Sequence, residues 1–145
     1  MKISTKGRYV LRMLLDLAEH RGEGYIALKD IAKRQGISKK YLEQIIPLLN
    51  NTDILVASRG YQGGYMLAKS PDMYTVGDIL RITEGSIAPV SCLEGGSTVC
   101  DRDDQCMTLY VWEGLEKVIA EYLDSITLQD ILDRHRKDYT FDFII

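Results

Sequence analysis

Three cysteines, Cys92, Cys100 and Cys106, fall within 15 residues of one another. Thiolates are the ligands that iron–sulfur clusters use, and a segment containing Gly95 and Gly96 can wrap a cluster without helical constraint. In a reduced compartment, clustered cysteines more often bind metal or carry out redox chemistry than form disulfides. The pattern therefore predicts a metal site on a loop spanning residues 85–106.

Other interpretations of these cysteines stay open. They can be three unliganded thiols near the protein surface. Zinc is a weaker alternative, because structural zinc sites favour CxxC pairs and the sequence contains none. A cysteine nucleophile needs an activating base, and His20 and His135 are both distant in sequence. We therefore do not expect an enzyme.

The charges of the chain are sorted along its length. The net charge is −3. Residues 1–70 hold 12 Lys and Arg against 6 Asp and Glu, whereas the remaining residues hold 6 basic and 15 acidic residues. A basic half joined to an acidic half predicts a nucleic-acid-binding surface coupled to a part with another task.

A helix-turn-helix pattern occupies the basic half. Apolar spacing predicts a helix over residues 28–35, a turn at Gly36 and a second helix from Lys39 toward Asn50, with a kink or early end at Pro47. The start of the second helix enters the major groove in such units. The candidate DNA-contacting residues at that position are Ser38, Lys39, Lys40, Tyr41, Glu43 and Gln44.

A short β-hairpin is predicted next, with strands over residues 54–58 and 65–68. Arg59, Gly60, Gly63 and Gly64 lie between the strands and suit a wing that approaches DNA closely, with Arg59 in the minor groove. Lys6 and Arg8 near the start of the first helix are candidate phosphate contacts.

An amphipathic helix is predicted over residues 107–123, beyond a domain of about 84 residues that looks complete. A helix in that position more often pairs with its twin than packs on its own chain. Its apolar stripe, the candidate dimer interface, consists of Val111, Leu115, Val118, Ile119 and Tyr122. We expect a homodimer whose recognition helices reach two half-sites of a double-stranded operator.

The predicted fold is mostly α-helical with a small β-hairpin wing: a winged helix-turn-helix followed by a long C-terminal dimerisation helix. The expected division is a DNA-binding domain at 1–84, a cysteine loop at 85–106, and the dimerisation helix with its tail at 107–145. A short helix after Thr127 and a docked apolar tail over residues 139–145 complete the chain. No apolar run is long enough for a membrane span, and we expect a cytoplasmic protein.

Several motifs together resemble the iron–sulfur cluster regulator (IscR) family of bacterial transcription factors, which includes nitric-oxide-sensing and cysteine-metabolism repressors. They are residues 4–9 (STKGRY), residues 37–38 and 41–44 (IS and YLEQ), and residues 58–60 and 63–65 (SRG and GGY). The resemblance extends to about residue 133. It implies a dimeric winged helix-turn-helix regulator in which Lys40, Glu43 and Gln44 reach bases and Arg59 enters the minor groove. The best-known branch has serine at the Lys40 position.

The same resemblance implies an iron–sulfur cluster on the cysteines, with a 2Fe–2S cluster as the expected form, which an aerobic preparation can lack. The redox-sensing branch has a histidine three residues after the third cysteine, where this chain has Leu109. The fourth ligand is therefore open. The implied targets are genes of iron–sulfur assembly or cysteine metabolism.

Two rival functions remain. One is a cluster-free repressor of the same fold that is controlled by a protein partner or by thiol oxidation. The other is a small iron–sulfur carrier or redox protein whose basic half binds RNA or another protein.

Overall fold

The computed structural model describes residues 1–96 and 105–144. Within these ranges the chain forms helices and one antiparallel hairpin, in agreement with the predicted fold class. The helices are α1 Thr5–Glu19, α2 Leu28–Gln35, α3 Lys39–Asn50, α4 Val76–Glu84, α5 Leu109–Asp124 and α6 Leu128–Ile144. The strands are β1 Leu55–Ser58 and β2 Gly64–Leu67, and short 3-10 helices occupy Pro71–Met73 and Ser91–Gly96.

The helix-turn-helix is formed by α2 and α3 as predicted. Gly36 ends α2 with a φ of +63°, a conformation that glycine adopts without strain. Ser38 caps α3, because its hydroxyl oxygen accepts a hydrogen bond from the Tyr41 backbone N–H at 3.0 Å. Four apolar residues of this unit are buried in the main core: Ile31, Ile37, Leu42 and Ile45.

Pro47 does not end α3, so of the two predicted effects, a kink or an early end, the early end is wrong. The helix continues to Asn50 with Pro47 inside it. A proline in a helix interior removes one backbone hydrogen bond. Ile46 and Leu49 are buried in the main core and hold the last turn in place.

A buried carboxylate joins α1 to α2. Asp16 is 1% exposed and accepts two hydrogen bonds from the Arg34 guanidinium, at 2.7 and 3.0 Å. The Gln35 amide donates a third, at 3.0 Å. The hydrogen bonds to Asp16 raise the pKa of Arg34 above its ordinary value. The angle between α1 and α2 is thereby fixed by directional contacts as well as by apolar packing.

The C-terminal helix is longer than predicted. The segment after Thr127 is a helix that runs to Ile144, rather than a short helix followed by a tail. Asp130 and Thr127 cap its start reciprocally, and the hydrogen bond from the Thr127 backbone N–H lowers the pKa of Asp130. Of the tail whose docking was predicted, the backbone up to Ile144 is helical, and Ile145 lies outside the described residues.

The main core extends beyond residue 84, so residues 1–84 do not form a complete core. Leu128 and Leu132 of α6 are buried in the same cluster as Leu14 and Ile31. The chain leaves this core after α4, forms α5, and returns to it at α6. Among the described residues, no helix is long and apolar enough to cross a membrane.

The Asp16 network makes a testable stability prediction. Arg34→Ala leaves a buried carboxylate without its cation and should destabilise the protein by about 3 kcal/mol, the lower end of the range for breaking a buried ion pair. The double variant Asp16→Leu/Arg34→Ala should be less destabilised than Arg34→Ala alone, because no buried charge remains. Urea denaturation followed by circular dichroism measures both. A double variant less stable than Arg34→Ala would contradict this account.

Candidate nucleic-acid interface and cysteine loop

The start of α3 presents a polar face to solvent. Its buried side is apolar and includes Leu42 and Ile45. The predicted contact residues that are exposed are Ser38, Lys39, Lys40, Glu43 and Gln44. The Lys39 ammonium lies 3.6 Å from the Glu43 carboxylate, and both side chains are more than half exposed. Such a pair holds little stabilising energy, so both side chains can rearrange toward a ligand.

Tyr41 differs from its predicted neighbours because its side chain is half-buried against α1. Its ring meets the Tyr9 ring edge to face, with centroids 5.5 Å apart. The Arg12 guanidinium lies 5.3 Å from the centroid of Tyr9 and also donates to the Gln35 side-chain and backbone carbonyls. Sequence reasoning missed Tyr9, Arg12 and Gln35, because local patterns do not reveal contacts between α1, α2 and α3.

The wing is anchored to the connection between α1 and α2. In the hairpin, Leu55 pairs with Leu67 and Ser58 pairs with Gly64. Ile26 and Tyr65 exchange backbone hydrogen bonds of 2.8 and 2.9 Å. A Cβ at Gly64 would overlap the Ile26 carbonyl oxygen, so this close approach requires glycine. The wing is therefore held in position relative to the helices.

The tip of the wing is open to solvent. Gly60 has a φ of +108° and accepts a hydrogen bond from the Gly63 N–H at 3.0 Å, which closes the turn. Arg59 and Gly60 are exposed, whereas Gly63 is half-buried. Tyr61 is fully exposed, although the sequence prediction did not include it. Its position between the wing glycines is the sequence feature that could have identified it as a candidate contact.

A groove of about 500 Å³ separates α3 from the wing. It brings together predicted residues from both elements, namely Lys39, Glu43, Arg59, Gly60, Gly63 and Gly64. Lys29 of α2 also lines it, which the sequence prediction missed. Lys6 and Arg8 lie at the start of α1, where the Arg8 guanidinium donates to the Thr5 hydroxyl at 3.2 Å. They are not among the residues that line this groove.

The cysteines are only partly described. Cys92 lies in the 3-10 helix Ser91–Gly96 and is half-buried. Cys106 is half-buried just before α5, and its sulfur lies 3.6 Å from the Thr108 hydroxyl. Cys100 lies outside the described residues. Within residues 1–96 and 105–144, no three His, Cys, Asp or Glu side chains are grouped to hold a metal ion.

The long helix α5 has two apolar faces, and none of its residues, all of which are described, is buried. Four of the five residues predicted for the dimer interface are exposed: Val111, Leu115, Val118 and Tyr122. Their spacing of four, three and four residues places them in one row. The fifth, Ile119, is half-buried and packs against the apolar cluster formed by Val76, Leu80 and Ile87.

Comparisons with known proteins identify relatives along nearly the whole chain. The model of the Rrf2 family, described as an iron-dependent transcriptional regulator, matches residues 3–134. The HTH-type transcriptional regulator CymR of Bacillus subtilis strain 168 is 40% identical over 144 residues, covering 97% of this chain and 99% of that protein. IscR of Erwinia tasmaniensis is 35% identical over 133 residues, covering 92% of this chain and 79% of that protein.

Solved structures agree with these matches. The structure of CymR, described as the global cysteine regulator of B. subtilis, matches with a TM-score of 0.75, covering 92% of this chain and 98% of that one. The structure of T. potens IscR matches with a TM-score of 0.75 at 44% identity, covering 93% and 88%. The predicted winged helix-turn-helix fold is thereby confirmed. The relatives are named as transcriptional regulators, which agrees with the expectation that the chain is not an enzyme.

Proposed function

Because the chain belongs to the Rrf2 family of transcriptional regulators, we propose that it binds double-stranded operator DNA through α3 and the wing. The observation that carries this proposal is the groove that places Lys39 and Glu43 of α3 opposite Arg59. An exposed helix start beside a glycine-rich hairpin suits a major groove and the adjacent minor groove.

The exposed side chains have chemistry suited to base recognition. Gln44 can form a bidentate pair with adenine, and Glu43 can accept from the N4 amino group of cytosine. Lys39 and Lys40 suit phosphate or guanine, and Arg59 suits a narrow minor groove. Lys6 and Arg8 would add phosphate contacts at the start of α1. Tyr41 serves to position α3, since its ring packs on Tyr9.

The protein acts as a homodimer in this proposal. The row of exposed apolar residues on α5 needs a partner surface, because Val118 and Tyr122 remain 62% and 64% exposed in the single chain. A row at this spacing suits pairing with the same helix of a second copy. Such a dimer presents two α3 helices to half-sites about 34 Å apart.

We propose that Cys92, Cys100 and Cys106 hold an iron–sulfur cluster of the 2Fe–2S type that controls operator binding. The donor set suits such a cluster, because Cys92 and Cys106 are half-buried thiols at the two described ends of one loop. Such a cluster, when bound, supplies reversible one-electron chemistry and sensitivity to oxidants. The targets would be genes of iron–sulfur assembly, as the family resemblance implies, or of cysteine metabolism, in keeping with the description of B. subtilis CymR as a global cysteine regulator.

A second candidate is a repressor of the same fold that works without a cluster, through thiol oxidation or a protein partner. Leu109, which takes the place of the histidine expected from the IscR resemblance, favours it. Leu109 is the first residue of α5, and its backbone N–H donates to the Cys106 carbonyl at 3.4 Å. A leucine side chain offers no ligand atom.

Base recognition is tested by changing Gln44. The operator is first identified by selection from a random DNA library. Gln44→Ala should then weaken operator binding by about 10- to 100-fold, the equivalent of one bidentate base contact, and leave binding to random DNA unchanged. Titrations at a fixed salt concentration measure both affinities.

Gln129→Ala on α6 is the matched control. Gln129 donates to Asp133 at 2.8 Å and lies outside the groove, so its loss should not alter DNA binding. If Gln44→Ala kept the wild-type ratio of operator to random-DNA affinity, base recognition by α3 would be wrong.

The cluster is tested by anaerobic purification and reconstitution. The wild type should contain iron and acid-labile sulfide with visible absorbance, while Cys92→Ser, Cys100→Ser and Cys106→Ser should each lower all three. Ser91→Ala, next to Cys92, is the control and should retain them. Wild-type protein without iron and sulfide after reconstitution would exclude the cluster and leave the thiol or partner mechanism.

The dimer is tested on α5. Val118→Glu places two negative charges, one from each copy, close together at a two-fold interface. This variant should therefore shift the protein toward monomer in analytical ultracentrifugation. Lys117→Glu places the same residue on the same helix outside the exposed row and should remain dimeric. Equal sedimentation of the two variants would contradict pairing through this row.

A further inference from the structure

A forked ion pair joins the end of α5 to α4. The Arg81 guanidinium donates two hydrogen bonds to the Asp124 carboxylate, at 2.7 and 2.9 Å. Asp124 is the last residue of α5, and Arg81 lies in the second half of α4. A bidentate contact of this type fixes the relative orientation of both groups, not only their distance.

Gly77 makes room for this contact one turn earlier on α4. A Cβ at Gly77 would overlap Asp124 Oδ1 and lie 3.1 Å from Arg81 Nη1. Apolar packing continues the same junction, since Leu123 of α5 packs against the cluster that contains Val76 and Leu80 of α4. The end of α5 is thus held against a specific face of α4.

The energetics argue for a geometric role. Arg81 and Asp124 are 40% and 43% exposed, so their pairing adds little to the stability of the fold. The Lys117–Glu121 pair on α5 has one contact of 3.8 Å within a single helix and joins no two elements. The Arg81–Asp124 pair differs because it connects two elements and constrains their angle.

Resting on the proposed function, we propose that Arg81, Asp124 and Gly77 form a clamp that sets the spacing between the operator half-sites the dimer accepts. In a two-fold dimer paired through α5, a rotation of the DNA-binding part relative to α5 occurs in both protomers. On a lever arm of about 17 Å, half the separation of about 34 Å, a rotation of about 5° displaces each recognition helix by about 1.5 Å. Opposite displacements along the DNA then change the spacing by about 3 Å, close to one base-pair step of 3.4 Å. An orientation held within a few degrees therefore selects one spacing.

The clamp also borders the cysteine loop. Arg81 lines a recess of about 270 Å³ together with Gly85, Ile87, Leu93 and Glu116. Leu93 lies next to Cys92, and Glu116 lies on α5. Arg81 therefore sits where α4, the loop and α5 meet, which is where the placement of the dimer helix is decided.

The test compares operators whose half-sites are moved apart or together by one base pair. Wild-type protein should prefer the selected spacing. Arg81→Ala, Asp124→Asn and Gly77→Ala should each reduce that preference by about 5- to 10-fold, within the range known for coupled sites. Affinity for DNA carrying one half-site should stay unchanged, and melting temperatures should fall by less than about 4 °C.

Three variants guard against a merely structural effect. Gly77→Ala changes no charge and raises helix propensity, so a loss of spacing preference points to the displaced Asp124 carboxylate. Arg81→Lys keeps the charge but not the fork and should give an intermediate preference. Lys117→Ala breaks the surface pair on α5 and should keep the wild-type profile.

The outcomes are distinguishable. Wild-type spacing preference in Arg81→Ala, Asp124→Asn and Gly77→Ala, or an equal loss of affinity at all spacings and at the single half-site, would overturn the clamp alone. Wild-type protein that bound no selected DNA would overturn the proposed function, and the clamp with it.

Discussion

Asp16 places a carboxylate inside the DNA-binding unit, where it accepts hydrogen bonds from Arg34 and Gln35. Burying a carboxylate is costly unless it is paired, so α2 must dock on α1 with these two side chains in register. Gln35 in turn accepts from Arg12, whose guanidinium packs over Tyr9 beside Tyr41. The orientation of α3, and with it the exposed row of polar side chains, depends on this chain of contacts.

The contacts of α5 with α4 make it part of the folded chain rather than an appendage to it. Its inner side covers the α4 surface, and α6 then returns Leu128 to the main core. Backbone bonds at the junction, such as Val76 N–H to the Ile126 carbonyl at 2.8 Å, fix the point of return. A dimer helix attached at one end only would pair two copies without controlling their angle. In the proposed dimer, attachment along α4 would give that angle a defined value.

Local patterns predicted the elements that local chemistry determines. The limits of α2 and the turn at Gly36 followed from spacing and residue type, because each depends on neighbours in sequence. The length of α6 and the inward position of Ile119 did not follow, since both depend on surfaces supplied by distant residues. The Arg81–Asp124 pair spans 43 residues, and no local period marks it. The cysteines were visible in sequence, but their mutual geometry requires Cys100, which lies outside the described residues.

The position of the cysteine loop matters because long-range contacts hold the C-terminal half of α4, from which the loop departs. Glu84, the last residue of α4, accepts hydrogen bonds from the backbone N–H and hydroxyl of Ser4, at 3.1 and 2.7 Å. Gly7 permits this approach, because a Cβ there would overlap the Glu84 carboxylate. One turn earlier, Arg81 holds α5. A rearrangement of the loop that displaced the end of α4 would therefore strain the start of α1 and the end of α5 together. The first carries candidate phosphate contacts and the second would set the angle of the proposed dimer, so one displacement would act on affinity and on geometry at once.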